Sequence, residues 1–342
     1  MKIAFTICTN SFLSLARTAA NSFQQHHKEY EFFIGIIDPP DPKIEKWYEG
    51  FSIIKCDEIG VEDLDSMARK YSISELSCAL KSFFTRYLIQ KYPNATEILF
   101  LDADLYFYSP LSELSELHRE YDILLTPHLV QPMQFDGKQP DEIAYLATGT
   151  YNGGFFSIRV TDNSRNFIDW WCSRMRDYCF YSLEQGLFVD QKWMNLVPVF
   201  FDKVYIIKSP GYNVSYWNLH ERKISIQNEQ LKVNQSDQLR FFHYSSISLR
   251  DSILFYKQQN RFTDDSLPLV KNLFLSYREQ VYKEGYIETS ASPSFYGKIF
   301  KEHEASVLRQ TLKGRIKLWI KNNLSEKKKA KLKHSLKGIL GS

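Results

Sequence analysis

The chain has little that would staple it or anchor it across a membrane. Its five cysteines, Cys8, Cys56, Cys78, Cys172 and Cys179, are odd in number and scattered, with no Cys-x-x-Cys pair. That pattern excludes a disulfide framework or a zinc knuckle as the organising device and fits a reducing compartment. No apolar run approaches the ~18 residues of a spanning helix. The short run that follows Lys2 is too brief for a secretory core and has no small-residue cleavage site behind it. Glycine (14) and proline (12) are too sparse for a collagenous or low-complexity chain.

What is present is an ordinary globular composition in 342 residues, 44% hydrophobic and 24% charged, enough for one large or two modest domains. Aromatic residues are abundant, at 15%. They suit the stacking of flat ligands or sugar rings, and equally an aromatic-rich core. The net charge of +3 hides an asymmetry: residues 298–342 hold 13 Lys and Arg against 3 Asp and Glu, while residues 1–297 hold 30 against 37. In the basic tail Leu308, Leu312, Ile316, Ile320 and Leu324 recur every fourth residue with Trp319 beside them, flanked by Lys313, Arg315, Lys317 and Lys321. Such a stripe suits a helix lying in an anionic membrane surface. The alternative is a terminal helix packed on its own domain. A nucleic-acid partner is not expected, since the basic cluster is confined to the tail and no nucleic-acid-binding signature accompanies it.

Along the body, apolar strands alternate with amphipathic helices. Lys2–Cys8 and Glu31–Asp38 read as buried strands, and Phe51–Cys56 as a third. Phe12–Gln25 and Glu75–Tyr92 read as helices, the latter broken by Pro93-Asn94. Glu97–Leu101 is a strand running into Asp102-Ala103-Asp104. Asp122–Pro127, Phe155–Arg159 and Phe200–Ile207 read as further strands, Asp162–Tyr181 as a helix, and Gln131–Glu142 as a loop. The expected fold class is α/β: a mixed, mostly parallel sheet with flanking helices, whose ligands bind beyond the carboxyl ends of the strands.

Two carboxylates end the strand Glu97–Leu101. In extended chain Asp102 and Asp104 point to one side, where they repel unless a cation lies between them. Mn²⁺ or Mg²⁺ accepts oxygen ligands while gripping phosphate oxygens, which would draw charge from a departing diphosphate. Asp-x-Asp alone is a weak signal. A second copy, Asp63-Leu64-Asp65, sits in a hydrophilic context and reads as solvated surface.

Around this pair stand longer segments: ELSCALKSFFTRYLIQKY, EILFLDADLYFYSPL, ILLTPH, TYNGGFFSIR, GLFVDQKWMNLVP, SPGYNVSYWNLHER and LRFFHYSS. Over roughly residues 1–250 the chain resembles bacterial nucleotide-sugar glycosyltransferases of the GT-A fold that act in surface-polysaccharide pathways, a group similar to the glycogenin-like, family 8-type transferases. The expected organisation is a catalytic domain over 1–255, a mainly helical extension over 256–297 and the basic tail over 298–342. The resemblance implies a nucleotide-diphosphate sugar donor, UDP-sugar favoured, with Mn²⁺ or Mg²⁺ on Asp102, Asp104 and His243. Thr6, Cys8, Thr9 and Asn10 match the end of the first strand, where base and ribose lie, and Lys81 and Ala103 also face the nucleotide. Asn152, Gly153 and Gly154 resemble the loop facing the donor sugar. Asp190 and Gln191 resemble the pair at the anomeric carbon. After the histidine the family pattern has a glycine, where this chain has Tyr244-Ser245-Ser246.

Each of these residues has a plainer reading. Asn152-Gly153-Gly154 suits a hairpin turn, Asp190 a helix cap, His243 a core position and Lys81 a solvated helix face. The segment with Tyr212, Trp217, Asn218 and His220 mixes aromatic and polar groups after a Pro-Gly turn, as a carbohydrate acceptor site does. The expected activity is transfer of a sugar to a hydroxyl of a glycan or lipid-linked glycan, with retention of configuration. The expected location is the cytoplasm, at the inner face of the plasma membrane. Two alternatives stand beside it: a nucleotidyltransferase making NDP-sugars, and a non-catalytic membrane-associated scaffold.

Overall fold

The computed structural model describes residues 1–255 and 258–310. The tail proposed as a membrane helix lies, from residue 311 on, outside the described residues. No helix among the described residues is long and apolar enough to cross a membrane.

The centre is a seven-stranded sheet. Its strands include β1 (Lys2–Cys8), β2 (Tyr30–Ile36), β3 (Ser52–Lys55) and β4 (Glu97–Leu101). After a short β5 (Leu105–Phe107) outside this sheet come β6 (Ile123–Pro127) and β7 (Tyr151–Arg159). The order is Val204–Ile206, β6, β7, β4, β1, β2, β3. Only β7 runs against its neighbours, pairing antiparallel with β4 and β6. The mixed, mostly parallel sheet expected from the alternation of elements is present.

Helices cover both faces, so the central strands read as continuous apolar runs rather than alternating ones. In chain order they include α1 (Leu13–His26), α2 (Leu64–Lys70), α3 (Ile73–Lys91), α4 (Leu114–Glu120), α5 (Glu142–Thr148), α6 (Asp162–Tyr178) and α7 (Val189–Met194). Successive residues of β4 serve opposite cores. Leu99 and Leu101 join Phe23 of α1 and Phe274 and Tyr277 of the helix Pro268–Lys283. Ile98 and Phe100 join Leu80 and Phe84 of α3 and Trp171 of α6. The segment that carries the helix Pro268–Lys283 therefore shares the main core. It is pinned by Arg17 to Glu284 at 2.7 Å. Asp38 pins it again, accepting from Ser294 Oγ at 3.1 Å and the Phe295 N–H at 2.9 Å.

Two expectations change. Residues 200–203 are not strand: Pro198, at the start of a helix Val197–Phe200, pre-sets its first turn, and the strand covers only Val204–Ile206. Asn152-Gly153-Gly154 is not a hairpin turn but part of β7, the strand that lies between β4 and β6. The glycines serve close approach, as shown below.

His118 of α4 ties that helix to β7, with its Nε2 2.7 Å from Ser157 Oγ and its Nδ1 3.1 Å from the Tyr121 carbonyl oxygen. Burial pushes its pKa down to about 4, against ~6.5 in an unfolded chain. The unfolded state therefore binds the extra proton between those values, so this part of the stability is complete above pH 6.5 and is lost as pH falls toward 4. We expect acidification across that window to cost about 3 kcal/mol through this residue. His118→Gln should flatten the dependence of the urea midpoint on pH. An unchanged slope in that variant would show that His118 is not the titrating group.

Candidate metal and nucleotide site

At the end of β4 the chain does not continue as strand. The Leu105 N–H donates to the Asp102 carbonyl at 3.2 Å, forming a turn before β5. Asp102 and Asp104 thus converge through a turn rather than through the two-residue alternation of a strand. The Asp102 N–H donates to the Gly154 carbonyl at 2.8 Å, tying the turn to β7.

His243 reaches the pair by strand pairing. Phe241–His243 runs antiparallel to β5, with His243 opposite Leu105. Its Nε2 lies 3.1 Å from Asp104 Oδ1 and 4.0 Å from Asp102 Oδ2. One ligand atom from each of Asp102, Asp104 and His243 lies within 4.8 Å of the others. Two carboxylates and an imidazole suit Mn²⁺, or Mg²⁺ with water completing the shell. Gly154 forms the floor: a Cβ there would lie 2.6 Å from His243 Cε1 and 2.7 Å from Asp102 Oδ2.

Lys81, on α3, points inward and is buried. Its Nζ lies 3.0 Å from Asp102 Oδ1, 3.0 Å from Asp190 Oδ2 and 3.0 Å from the Gly153 carbonyl oxygen. Lys81 thus donates a hydrogen bond to the Gly153 carbonyl and forms ion pairs with both carboxylates. Asp190 sits at the start of α7 against Gly153, where a Cβ would approach its Oδ2 to 2.5 Å. Burial drives the Asp102 carboxyl above its ordinary range despite Lys81. For Asp104 burial acts the same way, but the neighbouring His243 outweighs it and holds the carboxyl low. Burial opposes a charged imidazole at His243, yet Asp104 keeps its pKa above the usual value.

Two cavities meet at this cluster. One, of about 300 Å³, is lined by Ile7, Cys8, Thr9 and Phe12, by Ser74, Ser77 and Cys78 of α3, and by Ser294. The other, of about 700 Å³, reaches past Asn152, Gly153, Gly154, Asp190 and Gln191 to His128, Tyr145, Tyr216, Trp217, Ser245 and Ser246. Lys81, Asp102 and Asp104 line both. Asn152 Nδ2 is 3.2 Å from His128 Nε2, and its Oδ1 accepts from the Gly154 N–H at 3.0 Å. Gln191 Nε2 donates to the Thr148 carbonyl at 3.1 Å.

Most of the residues named from the sequence converge here, and Ala103 lines the smaller cavity. Four do not. Thr6 is fully buried beneath the sheet edge. Asn10 is turned away, donating to the Pro39 carbonyl at 2.8 Å and accepting from Tyr48 Oη at 2.8 Å. Tyr212 is buried with its hydroxyl on Glu113 at 3.1 Å. Asn218 is buried and spends its amide on the backbone of His128 and Asn213. Of the expected acceptor residues, Trp217 lines the larger cavity; His220 does not. Sequence reading missed Ser74, Ser77 and Cys78, although their offsets from Lys81 of seven, four and three residues place all four on one helical face. It also missed Ser294, which only the folding back of the extension brings near.

No known protein-family profile matches the chain. An uncharacterised protein of Bacillus subtilis strain 168, YfnF, is 27% identical over 201 residues, covering 59% of this chain and 66% of its own length, just under two thirds. A second from the same strain, YfnD, is 20% identical over 248 residues, covering 71% and 77%. Among solved structures, the galactosyltransferase LgtC, crystallised with donor and acceptor sugar analogues, is similar at 14% identity and a TM-score of 0.48, covering 83% of this chain and 96% of that one. GlyE, a glycosyltransferase of Streptococcus pneumoniae TIGR4, is similar at 15% identity and a TM-score of 0.45, covering 86% and 65%.

The Gly154 floor gives a direct test. Gly154→Ala should weaken Mn²⁺ binding at least ~10-fold, since displaced ligands commonly cost 10–100-fold. The circular dichroism spectrum should stay as in the parent. Parent-like affinity by calorimetry would mean that the ion is not held at these three side chains.

Proposed function

We propose that the protein is a metal-dependent glycosyltransferase that moves a sugar from a nucleotide-diphosphate donor, UDP-sugar favoured, to a hydroxyl of a glycan or lipid-linked glycan in surface-polysaccharide synthesis. One observation carries the reading: an acidic cluster fit for a divalent ion is the shared wall of two cavities of different character. The smaller, with apolar and hydroxyl lining, takes the nucleoside. The diphosphate then lies over Asp102 and Asp104. The sugar enters the larger cavity beside Asn152, Gly153, Asp190 and Gln191, and the acceptor occupies its far end near Tyr216 and Trp217.

Asp102, Asp104 and His243 would hold Mn²⁺ or Mg²⁺, which supplies a Lewis acid that stabilises the departing diphosphate. The protein's own part is positioning and electrostatics. Lys81 fixes Asp102 and Asp190 relative to each other. Gly153 lets the Asp190 carboxylate approach the sugar site, where its charge would favour the positive charge that develops as the glycosidic bond breaks. Asp190 is held against Lys81 at 3.0 Å rather than left free to turn to an acceptor hydroxyl. That supports retention of configuration, with an oxygen of the leaving phosphate taking the proton from the acceptor hydroxyl. The nucleotidyltransferase alternative needs cations for a triphosphate. Lys81 is the one Lys or Arg among the described residues lining either cavity, and it already faces two carboxylates and a backbone carbonyl.

The expected result of a screen of UDP-, GDP-, dTDP- and CMP-sugars is Mn²⁺-dependent hydrolysis and a raised melting temperature with one donor, UDP-linked. Asp102→Asn should lower that hydrolysis by at least 100-fold while leaving the protein folded. No response to any donor, or full activity in Asp102→Asn, would defeat the proposal. Proton NMR of the transfer product should show the anomeric configuration of the donor. The tail bears on location: without residues 311–342 the protein should no longer sediment with anionic vesicles and should still hydrolyse donor. Continued sedimentation would place membrane binding elsewhere.

A further inference from the structure

The segment Tyr212–His220, read from sequence as an acceptor site, has a different task at its N-terminal end. The His243 imidazole offers Nε2 to the acidic pair, so its other nitrogen needs a partner that fixes which one carries hydrogen. That partner is Asn213, with Oδ1 3.1 Å from His243 Nδ1. A carbonyl oxygen only accepts, so Nδ1 carries hydrogen; when Nε2 gives up the proton it shares with Asp104, its lone pair is the one left facing the carboxylates and an ion held there.

Four further features hold the arrangement. Asn213 is fully buried, at 0% exposure. Its backbone is left-handed, with φ of 53°, a conformation that asparagine tolerates better than most residues. Trp217 packs edge-on against the imidazole, with centroids 5.1 Å apart and planes at 83°. Main-chain bonds lock the same segment to His243: its N–H donates to the Val214 carbonyl at 2.8 Å, and Ser215 Oγ donates to its carbonyl at 2.6 Å.

We propose that Asn213 is a positioning residue of the metal site, setting the tautomer and ring orientation with which His243 offers Nε2 to a divalent ion. The inference rests on the metal-site reading above. Outer partners of ligating histidines commonly contribute 10–100-fold to metal affinity.

The test uses the full chain and Mn²⁺ alone, so no donor or acceptor need be known. Asn213→Gly removes the acceptor oxygen while tolerating the left-handed backbone; Asn213→Asp keeps an acceptor at Nδ1. Isothermal titration should show Asn213→Gly binding Mn²⁺ 10–100-fold more weakly than the parent, with a melting transition that remains cooperative. Asn213→Asp should bind within about threefold of the parent. Pulsed EPR of bound Mn²⁺ should show a histidine-nitrogen coupling in the parent and in Asn213→Asp, and its loss in Asn213→Gly. Parent-like affinity and coupling in Asn213→Gly would overturn the role of Asn213. Equal losses in both variants would overturn the acceptor argument. Failure of the parent itself to bind Mn²⁺ would remove the metal site and this inference with it.

Discussion

Three carboxylates, Asp102, Asp104 and Asp190, are gathered at one sheet edge, and two cationic side chains make that tolerable. Lys81 bridges Asp102 and Asp190, and His243 closes on Asp104. Like charges at such range raise one another's pKa unless a counter-charge intervenes. The remaining imbalance around Asp102 is what a divalent ion would relieve. The five members come from four elements: the turn after β4, the start of α7, the middle of α3, and the strand Phe241–His243. The cluster therefore exists only when the sheet, both helix layers and the β5 pairing are all in place.

The glycines of β7 follow from the same requirement. Gly153 and Gly154 are strand residues, and a Cβ on either would collide with Asp190, Asp102 or His243. They leave the backbone itself as the floor of the site and free its carbonyls for Lys81 and for the Asp102 amide. Asn152, one residue earlier, fills the opposite need with a side chain that bonds both the Gly154 N–H and His128. A small change on β7 would thus be felt at several charged groups at once.

Much of this was legible in one dimension. The apolar runs Lys2–Cys8 and Glu97–Leu101 and the amphipathic pattern of Glu75–Tyr92 gave the sheet, its helices and the placement of Asp102 and Asp104 at a strand end. The longer segments drew attention to Lys81, Asn152–Gly154, Asp190 and His243. Two plainer readings failed because each depends on what lies opposite: Lys81 looks solvent-facing until the acidic pair is placed beside it, and Asn152-Gly153-Gly154 looks like a turn until it is seen inside β7. Tyr212 and Asn218 failed in the other direction. Their aromatic and amide groups suggested sugar contacts, but they are spent on Glu113 and on backbone carbonyls inside the fold.

The sequence by itself determined the periodicities, and with them the α/β architecture, the strand-end carboxylates and the uneven charge of body and tail, because those depend on neighbours a few residues apart. Only the tertiary structure decided which nitrogen of His243 faces the acidic pair, that Lys81 bridges two carboxylates rather than meeting water, and that Ser294 borders the nucleoside cavity. Those outcomes hang on contacts between residues far apart in the chain. A pattern of residue types records no distance or direction across such a gap; packing and hydrogen bonding set both.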